Sequence, residues 1–340
     1  MKQRVVCFGE LLLRMTAPAR ERLLQSPRLE VYVGGAEANV AVSLAQLGHS
    51  ASMVSVVPAT PLGHACTGEL RRYGVETNDV VLTTTGRVGL YFLSVGAGHR
   101  PSEVLYDRAD SAFALAEPGL IDWEHALAGA QWFHVSGITA ALGPKSAEAA
   151  LRAVRAARAK GLSVSFDCNY RAKLWEAWDG DGPAILRQLL DEADLLFGDD
   201  RDIALILGAK AAEGADGESR FRFAAEHAFK TFKHLKRITA TQRVQHSVDH
   251  HEISGLMMSR EKLTSTRAYS LTPIVDRIGG GDAFAAGVLH GLLTGMDDQA
   301  TLDFAVAAAV LKHSIHGDFN LVDVAEIQNL VADKGFAVKR

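Results

Sequence analysis

The sequence predicts an α/β protein: helices packed around a mostly parallel central sheet, with a small β-sheet projecting from that core. Short β-type runs alternate with longer helical runs along most of the chain, the rhythm of βαβ units. Two stretches, Glu30 to Val33 and Val88 to Arg108, alternate polar and apolar residues with no helix between, as antiparallel strands with one wet face would. No repeat, low-complexity tract or linker divides the 340 residues, so residues 1-340 are expected to form one domain.

The elements follow in order. Arg4 to Phe8 is an apolar run suited to a buried first strand. Strands of the projecting sheet are expected within about 12-33 and 86-110. Ala36 to Leu47 is an alanine-rich helix with Gly48 placed as its C-terminal stop. Ala51 to Val57 is the next strand, and Gly63 to Tyr73 a helix closed by Gly74. Later strands are Gln131 to Val135, Ser163 to Asp167, Leu195 to Gly198 and Arg237 to Thr241. Helices fill the gaps at Lys145 to Lys160, Gly182 to Glu192, Arg201 to Leu207 and Ser219 to Lys233.

Composition narrows the function. A hydrophobic fraction of 48% supports a sizeable core and argues against disorder. A formal net charge of −4 offers no broad basic field for nucleic acid or an anionic membrane. Cys7, Cys66 and Cys168 are far apart and lack CxxC spacing, which predicts a reducing compartment and no structural zinc. The N-terminal apolar run is too short for a signal peptide, and no stretch reaches the length of a membrane span. A cytoplasmic location is expected.

The segment Val275 to Gly287 carries the chemistry. Gly279, Gly280 and Gly281 lead into Asp282 and a small-residue apolar helix. Bare amides at a helix N-terminus attract anions, and a carboxylate beside them can accept a proton. Phosphoryl transfer to a hydroxyl needs both parts. A tight strand-to-helix turn with a capping Asp accounts for the same residues equally well. A second glycine pair, Gly34-Gly35, ends a strand of the projecting sheet and starts a helix carrying Asn39. It suits close approach of a polar ligand, or simply a hinge.

In their order and separation, the two segments resemble the two signatures of the ribokinase-like (PfkB) carbohydrate kinases, along nearly the whole chain. The resemblance implies a ribokinase-like three-layer core with the small sheet as a lid that excludes water over a sugar. It implies Asp282 as catalytic base and Gly279, Gly280 and Gly281 as an anion hole. Within the family the chain is most similar to 2-keto-3-deoxygluconate kinases, at Val31 to Asn39, Gly89-Leu90-Tyr91, Tyr106-Asp107-Arg108, His134 to Ile138 and Asp167 to Arg171. That likeness implies substrate contacts from Gly34, Gly35, Asn39, Tyr91, Tyr106, Arg108, Ile138, Arg171 and Asp318. Tyr and Arg donors suit a sugar carboxylate. His316-Gly317-Asp318 is similar to the family's Arg-Gly-Asp. The expected reaction is transfer from ATP to the primary hydroxyl of 2-keto-3-deoxygluconate, with Mg²⁺. Asn169, Arg171, Thr241, Arg243, Gly279 and Gly281 are expected at the nucleotide, and a homo-oligomer is expected, with a dimer through the lid sheet as one form of it.

The chain departs from the family at several points. Asp199-Asp200-Arg201-Asp202 replaces the usual Asn-x-x-Glu, leaving Asp199 and Asp202 as candidate magnesium ligands. Thr241 to His246 stands where relatives carry a Lys-Arg-Gly-type loop. Asp276-Arg277 replaces Asp-Thr, which weakens any monovalent-cation site. Gly143-Pro144-Lys145-Ser146 is a helix start and not a P-loop, because proline interrupts the glycine-lysine step. His246, His250 and His251 are expected in a solvated hairpin, Cys168 as a buried inert thiol, and Trp175 and Trp178 as packing residues. Gly9-Glu10 after the first strand excludes a dinucleotide GxGxxG turn. A neutral-sugar kinase, the galactose-configured acid and a non-catalytic sugar sensor remain as alternative readings.

Overall fold

In β1 (Arg4–Phe8), Val5 and Cys7 face one side of a sheet while Val6 and Phe8 face the other, and all four are buried. Both faces must therefore be covered, as a parallel sheet with helices on each side requires. A computed structural model describes residues 3–333 and shows this arrangement. The strands that follow are β2 (Leu12–Thr16), β3 (Glu30–Gly34), β4 (Ser50–Pro58) and β5 (Val80–Thr83). Next come β6 (Gly89–Ser94), β7 (Glu103–Asp107), β8 (Trp132–Ser136), β9 (Ser163–Asp167) and β10 (Leu195–Phe197). The last four are β11 (Arg237–Gln245), β12 (His251–Ser259), β13 (Leu263–Ser265) and β14 (Tyr269–Leu271).

The large sheet runs β13-β12-β11-β10-β9-β8-β1-β4-β5, with β14 also paired to β12. Every pairing from β5 to β11 is parallel, and β12, β13 and β14 close one edge antiparallel. One face packs Phe133, Phe166 and Leu196 against helices Pro144–Ala159, Gly182–Asp191 and Gly217–Thr231. The other packs Met53, Phe197 and Met257 against helices Ala36–Gln46, Pro61–Arg72, Gly280–Thr294 and Asp298–Lys312. The result is three layers. No helix among the described residues is long and apolar enough to cross a membrane.

The small sheet has the order β3-β2-β6-β7. The expectation of an all-antiparallel appendage needs correction, because its central pair β2:β6 is parallel. The two strands directly follow the parallel core strands β1 and β5, so they leave the core in one direction. A buried guanidinium ties this sheet to the core. Arg14 of β2 is 1% exposed; it donates to Asp276 at 2.6 and 3.3 Å and pairs with Asp318 at 3.2 Å. At the rim, Arg20 pairs with Asp249 of the β11–β12 hairpin at 2.6 Å.

That hairpin differs from expectation in one residue. His246 and His250 are solvent-accessible, but His251 is the fully buried first residue of β12. It shares a face of β12 with buried Ile253 and is covered by the edge strand β14, where it pairs with Leu271. Cys168 is buried and unpaired, and Trp175 is packed against Trp178.

Candidate active site

The site grows from the turn into helix Gly280–Thr294. Gly279 sits at φ +80, and an added Cβ would meet the Asp318 carbonyl oxygen at 2.0 Å, so only glycine fits. No side chain caps the helix, and its first backbone bond is donated by Ala283 to Gly279. The amides of Gly280, Gly281 and Asp282 therefore lack helical partners and carry the positive end of the helix dipole. Gly281 has open space where a Cβ would stand. The preceding backbone is held by Asp276, whose carboxylate accepts from Ile278 N and Gly317 N at 3.0 Å each.

These amides face a cleft of about 760 Å³ at the C-terminal ends of the parallel strands, roofed by the small sheet. Asp282 lies in its wall. Asn39 Nδ2 donates to Asp282 Oδ2 at 2.6 Å. Burial raises the Asp282 pKa to about 7, against the Asn39 bond, with Asp318 and Glu37 adding to the rise. A carboxyl that titrates near neutrality can take a proton at pH 7 and release it again. Asp167, at the end of β9, is pushed up to about 8 by burial and by the charges of Asp282 and Asp202. Behind them Glu37 is buried, accepting from Ser136 N, Ser136 Oγ and Thr139 Oγ1 at 2.7–2.8 Å.

The small sheet supplies the roof. Tyr91 donates to Asp318 Oδ2 at 2.7 Å, and Tyr106 from β7 is half-exposed at the cleft. Arg108 follows β7 and is 7% exposed; its Nε donates to Glu10 Oε2 at 2.7 Å. Its two terminal nitrogens remain to meet a ligand. Gly35 makes the corner between sheet and helix, at φ +146, where a Cβ would strike the Glu10 carbonyl at 2.3 Å.

Nearly every residue expected at the site lines this one cleft: Gly35, Asn39, Tyr91, Tyr106, Arg108, Ile138, Asn169, Arg171, Asp199, Asp202, Thr241, Arg243, Gly279, Gly280, Gly281, Asp282 and Asp318. Gly34 stands just behind the wall, where its missing Cβ leaves room for the Asp318 carboxylate. Asp199 and Asp202 form a reciprocal capping box on helix Asp200–Leu207. Asp167 lines the same cleft, but the oxygens of these three do not converge on one point; among the described residues only His246, His250 and Glu252, on the β11–β12 hairpin outside the cleft, bring ligand atoms together. The sequence reading missed Asp167, Glu10, Arg14 and Arg277. A charged residue in an apolar strand was the available signal for Asp167 and Arg14, since such a charge needs a partner.

Comparison with known proteins agrees with this geometry. Residues 2–322 match the pfkB family of carbohydrate kinases. The chain is 32% identical over 331 residues to a 2-dehydro-3-deoxygalactonokinase of Haloferax volcanii, covering 97% of each chain. The crystal structure of 2-dehydro-3-deoxygluconokinase from Thermotoga maritima superposes with a TM-score of 0.91 at 39% identity, covering 97% of this chain and 99% of that one. A PfkB family carbohydrate kinase from Listeria grayi gives 0.90 at 37% identity, covering 97% and 100%. With its parallel core, projecting sheet and glycine-aspartate helix start, the chain has the ribokinase-like fold and belongs to the PfkB family of carbohydrate kinases.

Proposed function

We propose that this kinase transfers the γ-phosphate of ATP to the primary hydroxyl of 2-keto-3-deoxygluconate. The observation that carries the reading is the pairing of Asp282 with the unbonded amides of the Gly279 to Asp282 turn, beneath a roof that presents Arg108. The amides suit phosphate charge, and Asp282 suits a hydroxyl proton. A guanidinium at the far wall suits the sugar carboxylate.

In this reading Asn39 holds the Asp282 carboxylate toward the bound sugar. The hydroxyl gives its proton to Asp282 as its oxygen bonds the γ-phosphorus in line. The bond from that phosphorus to the β–γ bridging oxygen breaks, and ADP leaves with the electron pair. The Gly280, Gly281 and Asp282 amides take up charge on the transferring phosphoryl group. Mg²⁺ neutralises phosphate charge when bound, and Asp167, Asp199 and Asp202, which line the cleft without converging on one point, would face its hydration shell. Tyr106, Arg108 and Arg171 orient the acid, and closure of the small sheet keeps water from the reacting phosphate.

The Haloferax volcanii relative, named for the galactose-configured acid, favours that epimer as the second reading. Arg108→Ala tests the acid pocket. The Michaelis constant for 2-keto-3-deoxygluconate should rise about 10- to 100-fold, the loss of a charge-assisted pair. An unchanged constant would remove Arg108 from the substrate.

A further inference from the structure

Two guanidiniums at the cleft have no assigned partner. Arg243, near the end of β11, and Arg277, two residues before Gly279, both line it. Among the described residues neither takes part in a side-chain hydrogen bond or ion pair, whereas Arg108 and Arg201 are held by Glu10 and Asp199. Asp249, on the neighbouring hairpin, is already paired with Arg20. Asp276, next in sequence, is taken by Arg14 and by backbone amides.

The surroundings are correspondingly positive. Both side chains are exposed at the mouth of the cleft, and the charge of Arg277 acts on Arg243. His251 and His313, both buried behind this wall, are lowered by burial and further by Arg243. Like charges left close together without a counter-ion cost free energy that a polyanion would offset. The backbone beneath Arg277 is rigid, since Val275 N donates to the His313 carbonyl at 2.9 Å and Asp276 anchors Ile278 N. Among the described residues Arg277 is thus an unpaired cation on a fixed support beside the helix N-terminus.

We propose that Arg277, seconded by Arg243, is a positioning clamp for the triphosphate of the nucleotide, supplying side-chain cations next to the Gly279 to Gly281 amides. The inference rests on the kinase reading above and extends it to a residue that reading does not use. Guanidinium forks bind phosphate oxygens bidentately, so the clamp recognises the polyphosphate and not the base.

The test compares wild type, Arg277→Ala, Arg277→Lys and Arg243→Ala by steady-state kinetics and competitive inhibition. The probes are ATP, inorganic tripolyphosphate, and adenosine, which carries no phosphate. Arg277→Ala should raise the Michaelis constant for ATP and the inhibition constant of tripolyphosphate by about 10- to 100-fold. The constants for the sugar and for adenosine should stay within about twofold, and Arg277→Lys should fall between. Unchanged tripolyphosphate inhibition in Arg277→Ala overturns the clamp while leaving the kinase reading intact. A wild-type protein that neither turns over ATP nor binds tripolyphosphate overturns both.

Discussion

Replacing Asp282 by Asn should abolish most turnover and yet stabilise the fold at neutral pH. The carboxyl ionises at 3.8 in its ordinary state and near 7 in the folded protein. A raised acid pKa means that the folded state holds the proton more tightly. The resulting support for the fold is complete below about pH 4 and is lost as pH rises through 7. Above that, the ionised group sits in a poorly hydrated wall. Raising the carboxyl from 3.8 to about 7, at 1.36 kcal/mol for each tenfold change in proton affinity, sets a ceiling near 4 kcal/mol. Water in the open cleft reduces it to about 1–3 kcal/mol. Asn cannot ionise and keeps an acceptor for Asn39. Urea unfolding should therefore show Asp282→Asn more stable by about 1–3 kcal/mol at pH 8, with no gain at pH 4. Its kcat should fall by about two orders of magnitude or more, because no base remains for the hydroxyl proton. A variant equally or less stable at pH 8, or one that turns over normally, would refute the assignment of strain and chemistry to this one carboxylate.

Four further outcomes are expected. The rate of the wild-type enzyme should fall as pH drops through about 7, because Asp282 must be ionised to accept a proton; a pH profile flat from 5 to 8 would contradict this. Arg14→Met should cost about 3–5 kcal/mol in urea unfolding, since it leaves Asp276 and Asp318 buried without their cation. Gly279→Ala should lose nucleotide binding in calorimetry, because its Cβ must displace the Asp318 carbonyl and with it the amide turn. Glu10→Gln should raise the Michaelis constant for the sugar acid about tenfold and leave that for ATP unchanged, as Arg108 loses the carboxylate that aims it.

Most of the core was legible because its signals are local. Apolar runs such as Arg4 to Phe8 and Ser163 to Asp167 are strands at the expected positions, and Gly48 and Gly74 end their helices at positive φ as expected. The glycine-aspartate segment was legible as a helix start, with the cradle and plain-turn readings both open. What was not legible depends on pairing at a distance. The parallel β2:β6 contact joins strands separated by several intervening elements, and no periodicity encodes it. Of the antiparallel edge formed by β12, β13 and β14 only the hairpin at His246 to His251 was legible, because two of the strands are three residues long. Arg14, Glu10 and Lys312 gain their meaning only from partners brought near by folding. Lys312 is fully buried, donates to the Ile315 carbonyl and packs beside Gly279, which nothing around it in sequence announces.

Phosphorylation of a keto-deoxy sugar acid in this cleft is open to direct measurement. A coupled assay of ADP release, with ATP and Mg²⁺ offered against 2-keto-3-deoxygluconate, its galactose epimer, fructose, ribose and adenosine, tests it most directly. Turnover is expected with the keto-deoxy acids alone, the gluconate epimer leading. Turnover with a neutral sugar, and none with the acids, would keep Asp282 as a base but contradict the role given to Arg108 and Arg171.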